Sequence, residues 1–274
     1  MKTTKSLLAT LAVILFAGIA FISCEGLEPT VVKPEDADEL KSSAIQNSQA
    51  DNAMGDVLGA ISTYGISEDW TKNSKSGDPT VTIDSVTATI TYPNGGVIVI
   101  VWNKEPGFIE GLEGSVTITN FVSDKVTISQ GTLNVTFNGA IEQPVLTAEG
   151  TVNMTVDNNN IVYTINRTFI WYAGFDPNVH DFSDDAYAVH GTSKLVDGDE
   201  TQETTILENQ MLIKYNTCAY PQQGITKMEV VGQNRSVTVD FGVDKQGDAN
   251  NQCDEYAKFT IKVGSASMSM IVKL

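Results

Sequence analysis

The chain has 274 residues, 34 of them acidic against 17 basic, and a formal net charge of −17 at pH 7. That balance repels nucleic acid and anionic headgroups, so no nucleic-acid partner is expected. The length holds one large β domain or two small ones with a proper core.

Residues 1–24 read MKTTKSLLATLAVILFAGIAFISC. Lys2 and Lys5 form a basic start, 7–22 is an apolar run, and small Ser23 precedes Cys24, which is the order of a secretory signal peptide. The run is shorter than the roughly 20 residues that cross a bilayer. Phe21-Ile22-Ser23-Cys24 resembles the lipobox of bacterial lipoproteins, with Phe21 where that pattern prefers Leu. The resemblance implies that 1–23 is a signal peptide removed on export and that Cys24 is the lipid attachment site. Several acyl chains are needed there, because one chain anchors only marginally. The alternatives are an uncleaved membrane helix or a secreted protein with an incidental cysteine. Loss of Lys2 and Lys5 would take the formal charge to about −19.

Segment 24–34 has two prolines, acids and no periodicity, and is expected to be a lipid-anchored tether. Glu25 and Glu28, close behind Cys24, resemble the surface-export signal of lipoproteins in Bacteroides-like bacteria. From 35 to 64 the pattern is helical: Ala37, Leu40, Ala44, Met54, Leu58 and Ile61 fall near one face. Ser48 and Asp51 dilute that stripe, so the segment is either one helix or two short ones broken near 47–52, packed on something larger.

Beyond the polar stretch 70–79 the period switches to two. Strands are predicted around Val81, Ile83 and Ile90, at 97–102 (VIVIVW, expected as a buried strand), and in GSVTITNF, KVTISQ, GTLNVTF, TVNMTV and IVYTINRTFIWY. The turn at 157–160 is the clearest hairpin signal. Further strands are expected at 186–191, 201–207, 210–215, 225–231, 236–241, 257–263 and 266–273. Twelve to fifteen strands with short turns make 80–274 an all-β antiparallel meander, forming a twisted sheet, an open barrel or a sandwich with the N-terminal helix on one apolar face. Thr and Asn supply a polar, thinly charged outer face. Val81-Thr82-Ile83-Asp84 returns as Val237-Thr238-Val239-Asp240, and two copies suggest two related halves.

With lipid on Cys24, two cysteines remain. In an oxidising compartment Cys218 and Cys253 would form one disulfide worth roughly 3 to 4 kcal/mol. The alternative is a pair of buried free thiols.

Cys218-Ala219-Tyr220-Pro221, Gly224, VTVDFG at 237–242 and Cys253-Asp254 resemble a C-terminal pattern in poorly characterised lipoproteins of Bacteroides-like bacteria. VTID, GSVTITNF, the strand carrying Arg167 and Trp171, and Gly191 follow the order of the same family. The resemblance covers most of 80–274 and implies an envelope lipoprotein with no agreed activity.

Chemistry-bearing clusters are few. The stretch 175–190 gathers Asp176, His180, Asp181, Asp184, Asp185 and His190, a set able to hold a divalent metal but lacking any recognised ligand spacing; a solvated loop is expected. The stretch 244–255 (DKQGDANNQCDE) lacks the acid or Asn at the third position and the glycine at the sixth that an EF-hand needs, and reads as an acidic turn. Trp102, Trp171 and Tyr172 are either core or a sugar-stacking platform. No carboxylate pair stands out as a glycosidase pair, and no nucleophile elbow or phosphate-cradling glycine loop occurs. Asp84-Ser85-Val86 matches a short O-glycosylation pattern of Bacteroides-like bacteria but is expected inside a strand.

The leading expectation is a lipid-anchored, non-enzymatic binding or structural module of the outer membrane, adhesin-like, with no cofactor, catalytic residue or metal site. Its partners would be the membrane, through lipid on Cys24, and a glycan or envelope protein. The alternative is a polysaccharide-binding or polysaccharide-degrading surface lipoprotein. Two exposed, adjacent tryptophans would favour sugar, and two buried ones would remove its main support.

Overall fold

A computed structural model describes residues 31–66, 79–107, 109–139, 142–174, 185–215 and 217–274. Its first element is one continuous helix, α1 (Pro34–Tyr64). Proline in the first turn leaves no useful N–H unmet, and Glu35 and Asp36 face the positive end of the helix dipole. At the far end the Gly65 N–H donates to the Ile61 carbonyl, 3.0 Å away.

Among the described residues, fourteen strands follow in a single unclosed sheet. They are β1 (Thr80–Asp84), β2 (Thr87–Thr91), β3 (Val97–Trp102), β4 (Leu112–Ser123), β5 (Val126–Asn138), β6 (Val145–Val156) and β7 (Asn159–Ala173). The second half holds β8 (Ala186–Asp197), β9 (Glu200–Ile206), β10 (Leu212–Tyr215), β11 (Ile225–Val230), β12 (Arg235–Asp240), β13 (Tyr256–Val263) and β14 (Ala266–Lys273). Each strand pairs antiparallel with the next, except that β11 joins β9 while short β10 pairs with the first residues of β8. The twisted meander is thus the architecture observed, and among the described residues there is neither barrel closure nor a second sheet.

Local chemistry explains the turns. Asp157 and Asn158 both have positive φ, 46° and 71°, so the two-residue link between β6 and β7 takes the mirror-image form that suits hairpin twist. Ser85, φ 54°, sits exposed in the equally short link between β1 and β2, not inside a strand as the alternation suggested. The run 97–102 is also less buried than its composition predicts: Val101 is 49% exposed, because even this apolar strand has one wet face.

Helix α1 crosses the strands instead of running along them. Glu39 meets Arg235 of β12, Asn47 meets Gln202 of β9, Asp51 meets Arg167 of β7 and Asp56 meets Ser123 of β4. Just past the helix, the Gly65 carbonyl accepts from the Trp102 indole of β3 at 2.9 Å. Thirty-one residues of helix span about 46 Å, enough to cross nine strands spaced about 4.8 Å apart.

The crossing divides the core. Ala37, Leu40 and Ala44 pack with Met228, Val237, Phe259 and Ile261. Ala50 to Ile61 pack with Ile98, Ile100, Phe121, Leu133, Phe137 and Tyr163. The VTID and VTVD strings fall on edge strand β1 and internal strand β12 of the one sheet.

Candidate functional site: a cavity between helix and sheet

Between the two core regions the helix and sheet stand apart around a cavity of about 380 Å³. Strand register builds its sheet wall. Leu146, Phe169, Val189 and Leu212 lie side by side on β6, β7, β8 and β10, and Trp171, Tyr187 and Lys214 form the next row. The Trp171 and Tyr187 rings are 5.4 Å apart and tilted by 38°. The helix wall contains Met54, Gly55, Leu58 and Gly59. A methyl group at either glycine would meet nothing within 4 Å, so these positions hold space open.

An ion pair borders the cavity. Arg167, whose side chain is 2% exposed, donates from Nη2 to both carboxylate oxygens of Asp51, at 2.9 and 3.0 Å. It also donates to the Ser193 hydroxyl at 2.7 Å and, from Nη1, to the Gly191 carbonyl at 2.6 Å. The Tyr163 hydroxyl donates to Asp51 as well. Burial pushes the Tyr163 phenol well above its ordinary pKa, and the adjacent Asp51 charge adds to the rise. For Arg167, burial opposes the charge, but Asp51 and Tyr163 outweigh it and its pKa is raised. Tyr92, also on the cavity, is raised by burial and then by neighbouring Tyr64 and Asp56.

A second polar node lies one helical turn earlier. The Asn47 amide donates to Gln202 and accepts from the Thr204 hydroxyl at 3.2 Å, with the Met228 sulfur 3.3 Å from its nitrogen. Two polar positions on a mostly apolar helix face, Asn47 and Asp51, are thus each matched by a polar group from the sheet.

Cys218 and Cys253 lie at disulfide distance, with Cα atoms 5.3 Å apart. They tie the segment after β10 to the one before β13. Pro221, three residues beyond Cys218, lines the cavity.

Among the other sequence candidates, Trp102 and Trp171 are both buried, at 2% and 4% exposure, while Tyr172 is 45% exposed. The three do not form a platform. Cys24, Asp176, His180, Asp181 and Asp184 lie outside the described residues. Asp185 is buried, and His190 alternates away from the cavity-lining Tyr187 and Val189. Among the described residues, no group of three or more His, Cys, Asp or Glu is placed to hold a metal ion. In the acidic turn, Asp244 accepts from the Gln246 and Asp248 N–H groups at 2.8 and 3.0 Å, so the aspartate shapes the loop. Among the described residues, no helix is long and apolar enough to cross a membrane.

Sequence reasoning missed the cavity. Gly55 and Gly59 were its only local signal, at helical spacing inside a strong helix. Compared with protein-family models, curated proteins and solved structures, the chain matches none.

Proposed function

We propose that this chain is a lipid-anchored, non-enzymatic binding module of the bacterial outer membrane, whose ligand occupies the cavity between α1 and the sheet. Acyl chains on Cys24 hold it to the membrane, and segment 24–34 spaces the β domain from the bilayer. In this reading it is one of the all-β envelope lipoproteins of Bacteroides-like bacteria that its cysteine and VTVDFG pattern resembles.

The observation that carries the binding role is the apolar cavity itself, which falls in the roughly 300–1,000 Å³ range of small-molecule sites. Its charged pair supports binding over chemistry: Asp51 and Arg167 are committed to each other and bridge helix to sheet. The polysaccharide reading loses its main support with Trp102 and Trp171 both buried.

Mass spectrometry of the mature N-terminus, with a Cys24→Ser control, tests the anchoring. The expected product begins at Cys24 and carries acyl chains, and the control remains unacylated. A product that retains Met1, or that has a free thiol at Cys24, contradicts it. Protease accessibility on intact cells then assigns the membrane face.

A further inference from the structure

The cavity lining is mostly apolar, and strand β10 adds a cation to it. Leu212 and Lys214 alternate onto the same side of β10, beside Val189 and Tyr187 of β8, and both line the cavity. Among the described residues Lys214 has no hydrogen-bond or ion-pair partner, although its side chain is half-buried. Arg167, the other cation of the lining, is held by Asp51. Asp56, the lining's second carboxylate, accepts from the Ser123 hydroxyl. The site therefore offers an apolar chamber, room beside Gly55 and Gly59, and one uncommitted positive charge.

We infer that the cavity takes a single-chain anionic amphiphile, of which a long-chain carboxylate is the simplest member. Its apolar chain lies between the glycine face of α1 and Phe169 and Leu212, and its head group pairs with the Lys214 ammonium. At about 380 Å³ the chamber is near the small end of ligand sites, which favours one chain over the two of a phospholipid. The overall negative charge does not exclude an anionic head, because charges farther than about 8 to 10 Å are screened at physiological salt. This assignment rests on the proposed binding role of the cavity and adds the ligand class.

Equilibrium binding of labelled dodecanoate and dodecanol to the full mature chain in nanodiscs tests it, with empty nanodiscs as the baseline. Three proteins are compared: the native chain, Lys214→Met and the cavity-filling pair Gly55→Leu/Gly59→Leu. The native chain is expected to prefer dodecanoate, and Lys214→Met to weaken dodecanoate about five- to tenfold while leaving dodecanol unchanged. The filled variant should lose more than about tenfold for both ligands while melting no lower than the native chain, since leucine is the better helix former. Equal binding of acid and alcohol, indifferent to Lys214, would overturn the anionic head and leave the cavity reading standing. Binding of neither above the baseline would overturn both. Should the filled variant fail to fold, the Lys214→Met comparison still decides the head group.

Discussion

Arg167 and Asp51, 116 residues apart in sequence, are joined by paired hydrogen bonds of 2.9 and 3.0 Å that fix helix α1 on strand β7. Both sit where the apolar packing of the two core regions gives way to the cavity. The pair therefore helps set the helix position beside the cavity.

Removing one partner leaves the other's charge buried. Asp51→Ala should cost about 3 to 5 kcal/mol, because the Arg167 side chain is 2% exposed and cannot reach water without rearrangement. Replacing both, as Asp51→Leu with Arg167→Met, should recover most of that loss. Urea unfolding of the single and double variants measures the difference. A single variant as stable as the native chain would show that the pair does not hold the helix.

Stability should fall above about pH 10. Tyr163 has a folded-state pKa raised well above its ordinary value near 10, by burial and then by Asp51. The folded state therefore keeps a proton that the unfolded chain releases. Its contribution is complete below the unfolded pKa and lost as pH rises toward the folded one. Tyr92, raised mainly by burial, acts in the same direction. Chemical unfolding between pH 8 and about 11 should show a negative slope that Tyr163→Phe reduces.

Reduction should destabilise the second half of the sheet. A bridge between Cys218 and Cys253 closes a 35-residue separation, so its loss should cost about 3 to 4 kcal/mol. Thiol titration of the denatured chain, followed by melts with and without reductant, checks both the bond and its worth. Two free thiols under oxidising conditions would leave this segment unbraced.

Two glycines should respond oppositely to alanine. Gly191 has φ 118°, and a methyl group there would overlap the Asn166 carbonyl oxygen of β7, so Gly191→Ala should cost more than about 2 kcal/mol. Gly59 lies in helical backbone with open space ahead of it, so Gly59→Ala should stabilise by about 0.5 to 1 kcal/mol. Thermal melts of the two variants should shift in opposite directions.

The strands were legible because alternation is local. Thr117, Thr132, Thr151 and Thr164 are register neighbours on the outer face, while Val116, Leu133, Val152 and Ile165 alternate inward. Where β8 continued through 192–197, the alternation held, but Lys194 and the turn at 198–199 concealed it from a reading that stopped at Gly191. The helix was legible apart from its continuity. A break near 47–52 stayed open because Asn47 and Asp51 in that stretch have partners, Gln202 and Arg167, more than 100 residues away that cannot be seen locally. The cavity was illegible for the same reason: it depends on which residues of β7, β8 and β10 become neighbours, and only register reveals that.

Xenon-derivatised crystals test the cavity most directly, since apolar cavities bind xenon without needing any particular head group. The account predicts xenon density between Gly59 of α1 and the Phe169–Leu212 wall, absent from the Gly55→Leu/Gly59→Leu variant. No xenon there, or side chains of the protein itself filling that space, would contradict it.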